Sequence, residues 1–340
     1  MSDFARFNER YFSKLKSVSI NLDDLQRPGY WVVVGGFENH WLLLEFEQLT
    51  AQVPMLTGNW TGVEKSDWAS SLNRSEYVTA VEVLREKIAQ GEVYQANLCR
   101  VLSANWPKDS NISGLANLLL AGNPAPFSAI ISVAESSNFR LTKDVQIASA
   151  SPELYLRRDG SKITSSPIKG TGRVAGDLTE KDSAENVMIV DLVRNDLSRV
   201  CEVGSVKVPN LLSIEAHPGL VHLVSTVEGE LKAQTTWRQI FEATFPPGSV
   251  TGAPKISALK LIKELETAPR GPYCGAIGWI DGFTNTAELA VGIRTFWKDK
   301  HQIKFGTGAG ITWGSDAEKE WNETVLKTEK LFSLAALKNG

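Results

Sequence analysis

Cysteine is scarce in this 340-residue chain: Cys99, Cys201 and Cys274 are an odd number, and no two stand in a CxxC pair. Such a set argues against a disulfide framework and a structural zinc site, and favours a reducing compartment. Histidine is equally sparse, and His40, His217, His222 and His301 form no HExxH or similar ligand spacing. The chain has neither a GxSxG elbow nor a GxCxG, so nothing in it predicts that it hydrolyses glutamine by itself. Dense Lys/Arg runs are missing, and a net charge of -3 with a pI near 5.9 excludes nucleic acid and anionic membranes as expected partners. The longest apolar runs, such as Trp31 to Val34 and Trp41 to Leu44, are far too short to span a bilayer, and Met1 to Leu25 lacks the apolar region of a signal peptide. The expectation is a cytoplasmic protein whose partners are small molecules or proteins.

What is present is an ordinary globular composition, 42% hydrophobic, enough to bury a large core. No internal repeat appears. Helical spacing of Tyr77, Val81, Leu84 and Ile88 predicts a helix over Ser75 to Gln90, capped by Ser75 and ended by Gly91. Asp159-Gly160 predicts a hairpin between Glu153–Arg158 and Lys162–Ser166, and further helices are predicted over Thr179–Leu197, from Pro254 to about Glu266, and over Asp316 to about Leu337. Strands are expected at residues 30–50, Val93–Leu102, Phe127–Val133, Val145–Ala148, Ala276–Ile280, Ala287–Phe296 and Gln302–Phe305. Without regular βα alternation this predicts a mixed α/β, or α+β, architecture. Residues 1–74 read as a short N-terminal lobe of the same domain, and 75–340 as the core.

Two acidic pairs, Asp182/Glu185 and Glu320/Glu323, are spaced i and i+3, so each lies on one helix face, and two such helices could bring four carboxylates together. Carboxylates without His or Cys suit Mg²⁺ rather than zinc. Each pair also reads as a solvated helix face, with Lys181, Lys319 and Lys327 in reach. Lys169, in Pro167-Ile168-Lys169-Gly170-Thr171, is either an exposed loop lysine or, if its surroundings lower a pKa of about 10.4, a nucleophile. Gly306-Thr307-Gly308-Ala309-Gly310 lacks the helix and distal acid of a dinucleotide fingerprint, and Gly248 to Lys255 lacks Walker spacing.

Taken together, these blocks resemble the chorismate-utilising enzymes, the family of anthranilate, aminodeoxychorismate, isochorismate and salicylate synthases. The resemblance runs from about Ser75 to Leu334 through Gly91-Glu92-Val93-Tyr94-Gln95-Ala96-Asn97-Leu98, Ser151-Pro152-Glu153, Pro167 to Thr171 and Ala184 to Asp196. It continues through His222-Leu223-Val224-Ser225, Gly248 to Lys255, Ile293-Arg294-Thr295 and Gly308-Ala309-Gly310. Family members that add water usually carry a lysine base where this chain has Gln95, so Gln95 implies an ammonia-using branch. Anthranilate synthases typically read Pro-Ile-Ala-Gly-Thr, so Lys169 implies the aminodeoxychorismate branch, in which a covalent lysine adduct precedes 4-amino-4-deoxychorismate, a precursor of 4-aminobenzoate and folate.

The resemblance further implies roles for single residues. Lys169 would be the nucleophile, Glu153 the general acid or base, and His222 an active-site histidine. Glu185 and Glu323 would bind Mg²⁺ directly, with Asp182 and Glu320 holding its waters. Tyr273, Arg294 and the Ala309 and Gly310 amides would receive the enolpyruvyl carboxylate, with Thr251 and Gly252 near substrate. Lys255 matches a family position and reads equally as a helix-surface lysine. The implied ammonia source is a separate glutamine amidotransferase subunit. Before Ser75 the chain is shorter than larger members and shows no recognisable serine-containing motif, so allosteric tryptophan binding is not expected. Anthranilate synthase component I and a non-catalytic chorismate-binding subunit are the alternatives.

Overall fold

The structure, a computed structural model, describes residues 3–172, 174–217 and 220–338; the side chains of Thr171, His217 and Leu220 lie outside the described residues. All eighteen strands among the described residues join one antiparallel sheet. Edge strand Lys207–His217 pairs with Leu220–Glu230, whose other side holds both Lys162–Ser166 and Ile168–Gly172. The order continues through Leu154–Asp159, Thr286–Val291 and Ala276–Asp281 into the N-terminal strands Tyr30–Gly36, His40–Thr50, Arg10–Ser19 and Phe4–Phe7. From Phe4–Phe7 it passes to Phe127–Val133, Val145–Ser151, Thr295–Asp299, Gln302–Ile311 and Gln95–Asn105. The strands between Phe4 and Thr50 thus supply the middle of the sheet. A twisted sheet of this many strands must curl, and its two ends meet: a Cβ built on Gly310 would lie 3.3 Å from Lys169 Nζ, which comes from the other end.

Six helices flank the sheet: α1 (Arg74–Ala89), α2 (Ile112–Gly122), α3 (Glu180–Ser198), α4 (Trp237–Thr244), α5 (Lys255–Leu265) and α6 (Ala317–Ala335). Helix α1 starts one residue earlier than expected, because Asn73 and Glu76 form a reciprocal capping box that takes the cap away from Ser75. Gly91, at φ 78°, ends it as predicted. Helices α2 and α4 were not anticipated from sequence. The first buries Ile112, Leu115, Ala116 and Leu119 within an almost wholly apolar run, and the second has eight residues, too few to establish a period.

Two differences bear on function. The expected strand Ala287–Phe296 breaks at Arg294, whose φ of 52° is left-handed, so Thr286–Val291 and Thr295–Asp299 pair with different neighbours. The stretch Gly306–Gly310 is no loop; it continues strand Gln302–Ile311 in register with Gln95–Asn105. On helix α6 Val325 is exposed, while Glu320 and Thr324 are buried. Thr324 accepts from Arg100 Nε at 3.0 Å through its hydroxyl and from Thr307 Oγ1 at 3.0 Å through its carbonyl.

Candidate active site

The site begins with glycine. On strand Gln302–Ile311, Gly306, Gly308 and Gly310 alternate and so share a face. A Cβ at these positions would come within 2.1 Å of the Tyr273 ring, 2.5 Å of Cys99 Sγ and 2.6 Å of Gln95 Nε2 respectively. The three glycines form a bare floor on which other side chains lie, which is why the segment reads as glycine-rich without cradling a phosphate.

Lys169 reaches that floor from strand Ile168–Gly172, opposite Leu223 in register. The register shifts between Lys169 and Thr171, and Gly170, at φ 78°, occupies the irregularity. A Cβ on Gly170 would lie 2.8 Å from Asp182 Cβ, so this glycine also lets the start of α3 press against the lysine strand. The result is a Lys169 Nζ to Glu185 Oε2 distance of 3.8 Å, with both side chains largely buried. Farther along α3, buried Asn186 donates to the Leu223 carbonyl at 3.1 Å and accepts from Ser225 Oγ, which ties the helix to the strand carrying His222. His222 is buried on that strand, opposite Thr171 and Glu215.

Glu153 follows Pro152, which cannot donate to a ladder and separates strands Val145–Ser151 and Leu154–Asp159. Its side chain is 4% exposed. Burial pushes its carboxyl up to about 7, while Ser249, Lys169 and the Ile168 backbone amide pull it the other way. A buried carboxyl that is protonated near neutrality and lies beside a lysine can deliver a proton.

Gln95 is 2% exposed, and its Oε1 has no hydrogen-bond partner. An orphaned buried acceptor costs free energy unless something fills it, so it marks a place for a donor. Thr251 and Gly252 buttress this residue: the Thr251 hydroxyl fastens its own turn through the Pro247 and Gly248 carbonyls, and a Cβ on Gly252 would lie 2.2 Å from the Gln95 carbonyl oxygen. Arg294 makes no side-chain hydrogen bond or ion pair with the described residues, and burial lowers its pKa. A desolvated guanidinium without a counter-ion is a receptor for a carboxylate. Strand Gln302–Ile311 pairs with Thr295–Asp299 only as far as Phe305, so the backbone around Ala309 and Gly310 has a strand partner on one side alone. Tyr273 stands over Gly306 with its hydroxyl 3.8 Å from Cys99 Sγ, inside the core.

The acidic pairs converge from α3 and α6. Lys181 bridges them, its Nζ lying 3.7 Å from Glu185 Oε1 and 3.9 Å from Glu320 Oε1. Burial, and after it repulsion from the nearby Glu323, raises the Glu320 pKa despite Ser315, Lys181 and Lys327. For Glu323 burial acts in the same sense, but Lys327, Lys169 and Lys181 outweigh it and the net shift is downward. Lys327 pairs with Glu323 at 2.6 Å and also donates to the Gly308 carbonyl. Asp182 accepts from Thr179 N and Oγ1 through one oxygen, Oδ2, completing the capping box that Thr179 opens at the start of α3. Among the described residues no three His, Cys, Asp or Glu side chains gather closely enough to hold a metal unaided. An all-carboxylate set with a cation already between the helices fits a hard ion that keeps waters and shares its shell with a ligand.

The sequence alone did not identify Lys181 or Ser249 as members of this site. It also left Lys255 open, and the structure holds Lys255, partly buried, in an ion pair with Asp196 at 2.6 Å. No helix among the described residues is long and apolar enough to cross a membrane.

A family model described as chorismate binding enzyme matches residues 43–333. Aminodeoxychorismate synthase component 1 of Escherichia coli is 37% identical over 78% of this chain and 59% of its own length. Anthranilate synthase component 1 of Aquifex aeolicus is 36% identical over 78% of this chain and 54% of its own length. The chain thus spans little more than half the length of these two relatives. Anthranilate synthase component I of Streptococcus pneumoniae shares the fold, with a TM-score of 0.76 and 23% identity over 97% of this chain and 90% of that one. From the matched residues and the site they build, this chain belongs to the chorismate-binding enzyme family.

Proposed function

We propose that this chorismate-utilising enzyme is an aminodeoxychorismate synthase component I, converting chorismate and ammonia to 4-amino-4-deoxychorismate. The observation that carries this reading is Lys169, held beside Gln95, Glu185 and the Gly310 floor at the meeting of the two sheet ends. The neutral Lys169 amine attacks C2 of chorismate, and the C4 hydroxyl leaves as water with the proton of Glu153. Glu185, 3.8 Å away, is a carboxylate within reach of the lysine ammonium before that attack. Ammonia then attacks C4 and expels Lys169 from C2, leaving the enolpyruvyl group in place. The unpartnered Gln95 Oε1 can accept a hydrogen bond from ammonia, and Arg294, with the Ala309 and Gly310 amides and Tyr273, receives the enolpyruvyl carboxylate.

Glu185 and Glu323 would hold Mg²⁺, with Asp182 and Glu320 on its waters. Bound there, the ion supplies positive charge to the ring carboxylate. The ammonia source is a separate glutamine amidotransferase, in keeping with relatives named as a component 1. Anthranilate synthase component I is the second reading, favoured by a relative of nearly equal identity; the resemblance of Lys169 to the aminodeoxychorismate branch counts against it. The test is intact-mass spectrometry of the chain with chorismate in the absence of ammonia. A covalent adduct that disappears in Lys169→Ala supports the reading, and an adduct that persists in that variant removes Lys169 as the nucleophile.

A further inference from the structure

Behind Glu153, away from Lys169 and Gln95, lies a small cavity of about 20 Å³, room for a single water. Its polar lining comes from Glu153, Tyr155, Ser165, Asp196, Thr244 and Ser249. It is walled by α3, α4 and the strands Leu154–Asp159 and Lys162–Ser166. Much of the wall is apolar, from Leu154, Leu156, Val193, Leu197 and Val291, but the polar groups set into it can hold one ordered water. We propose that this cavity is a proton passage, in which Asp196, through water anchored by the Tyr155 hydroxyl, returns a proton to Glu153 after each turnover.

The proposal rests on the acid role given to Glu153 above, and the atom balance of that reaction creates the need. Chorismate and neutral ammonia yield a product carrying an ammonium group and one water, so each turnover takes up one proton from solvent. Glu153 gives its proton to the leaving hydroxyl and remains as a buried carboxylate, which must be reprotonated while substrate or product covers its other side.

The cavity offers the route. The Thr244 hydroxyl donates to the Ile240 carbonyl at 2.8 Å, so across the 2.6 Å contact with Tyr155 it is the tyrosine that donates. The tyrosine oxygen keeps its lone pairs for a cavity water. Asp196 accepts from Lys255 Nζ at 2.6 Å through Oδ2, and its Oδ1 receives no hydrogen bond from the described residues. Lys255 is held in turn by the Thr244 carbonyl at 3.1 Å. The Asp196 and Lys255 side chains keep 11% and 18% exposure, so this end of the cavity reaches solvent. Burial raises the Asp196 carboxyl against the pull of Lys255 and Arg199, which makes it easier to protonate than a surface aspartate. Asp196 and Tyr155 act through Glu153 and are positioning residues.

The experiment compares steady-state rates in H₂O and D₂O for the native chain, Asp196→Asn, Asp196→Glu, Tyr155→Phe and Glu153→Gln, with chorismate, Mg²⁺ and an ammonium salt. For Asp196→Asn, kcat falls about tenfold, less than the roughly hundredfold loss from removing the acid itself. The KM for chorismate stays within about twofold, because the passage does not touch substrate. The solvent isotope effect on kcat rises in Asp196→Asn and in Tyr155→Phe, and Asp196→Glu restores much of the rate. Tyr155→Phe keeps the test decisive if Asp196→Asn, with Lys255 left unpaired, fails to fold. Unchanged rates, or a fall without a rise in isotope effect, overturn the passage. If Glu153→Gln is inactive while the other variants behave as the native chain, the passage alone fails. If Glu153→Gln turns over normally, the acid role fails with it.

Discussion

Lys169 Nζ lies 3.8 Å from Glu185 Oε2, although one residue sits on a strand and the other on the helix that follows it. Gly170 makes the approach possible, since it is the position where a side chain would strike Asp182. The contact joins the residue proposed as nucleophile to one proposed as a metal ligand, and several expectations follow from the groups around it.

The Glu153 carboxyl is protonated up to a pH of about 7, so kcat of the native chain falls as pH rises through that value and the acid form is lost. The same shift affects stability. Folding raises the pKa, so its stabilising contribution is complete below about 4.5 and is lost as pH rises through about 7. Urea unfolding should therefore show the stability of Glu153→Gln relative to the native chain improving by about 3 kcal/mol between pH 4 and pH 8. A difference that does not vary with pH contradicts the perturbed carboxyl.

Lys181 stands between Glu185 and Glu320 and competes with any cation there. Removing it in Lys181→Met should lower the half-saturating Mg²⁺ concentration about fivefold, the effect of one partly exposed charge. Calorimetric Mg²⁺ titration without chorismate reads this directly, and chelation should abolish turnover in both chains. Weaker Mg²⁺ binding in the variant would place the ion elsewhere.

Gly310→Ala places a methyl group 2.6 Å from Gln95 Nε2 and 3.3 Å from Lys169 Nζ. Displacing both side chains should reduce kcat/KM about a hundredfold while circular dichroism stays native, as small misplacements at reacting groups do. Activity near the native level would mean that the glycine floor does not face the substrate.

Much of this site is legible in the sequence because its chemistry is concentrated in short blocks. Pro167 to Thr171, the two acidic pairs and the cap at Thr179 all lie within elements whose periodicity or punctuation is plain. Strands Phe4–Phe7 and Arg10–Ser19, and likewise Lys207–His217 and Leu220–Glu230, pair with their sequence neighbours yet are not legible, because Arg10–Ser19 and Lys207–His217 bury little and shift register, which blurs the alternation that marks a strand. The strand expected at Gln302–Phe305 runs on through the glycine stretch 306–310, which glycine's low strand propensity hides: the facing Tyr273, Cys99 and Gln95 explain each glycine there. Lys181 and Lys255 look alike in sequence, and only packing distinguishes a lysine bridging carboxylates from one partly buried beside Asp196.

Arg294 has no protein counter-ion among the described residues and adopts a left-handed φ of 52°. Strain of this kind persists where the surrounding fold imposes it, commonly at ligand sites. Arg294→Ala should raise the KM for chorismate by roughly tenfold to a hundredfold, the worth of charge-assisted hydrogen bonds, with a smaller change in kcat. Arg294→Lys should recover only part, since an ammonium lacks the planar fork. An unchanged KM in both would remove Arg294 from the substrate site.

The most direct test of the central claim is to incubate the purified chain with chorismate, Mg²⁺ and an ammonium salt at mildly alkaline pH and identify the product by mass spectrometry. The account predicts a product that keeps its enolpyruvyl group and becomes 4-aminobenzoate on addition of a lyase. Anthranilate with free pyruvate would contradict it and assign the chain to the other ammonia-using branch.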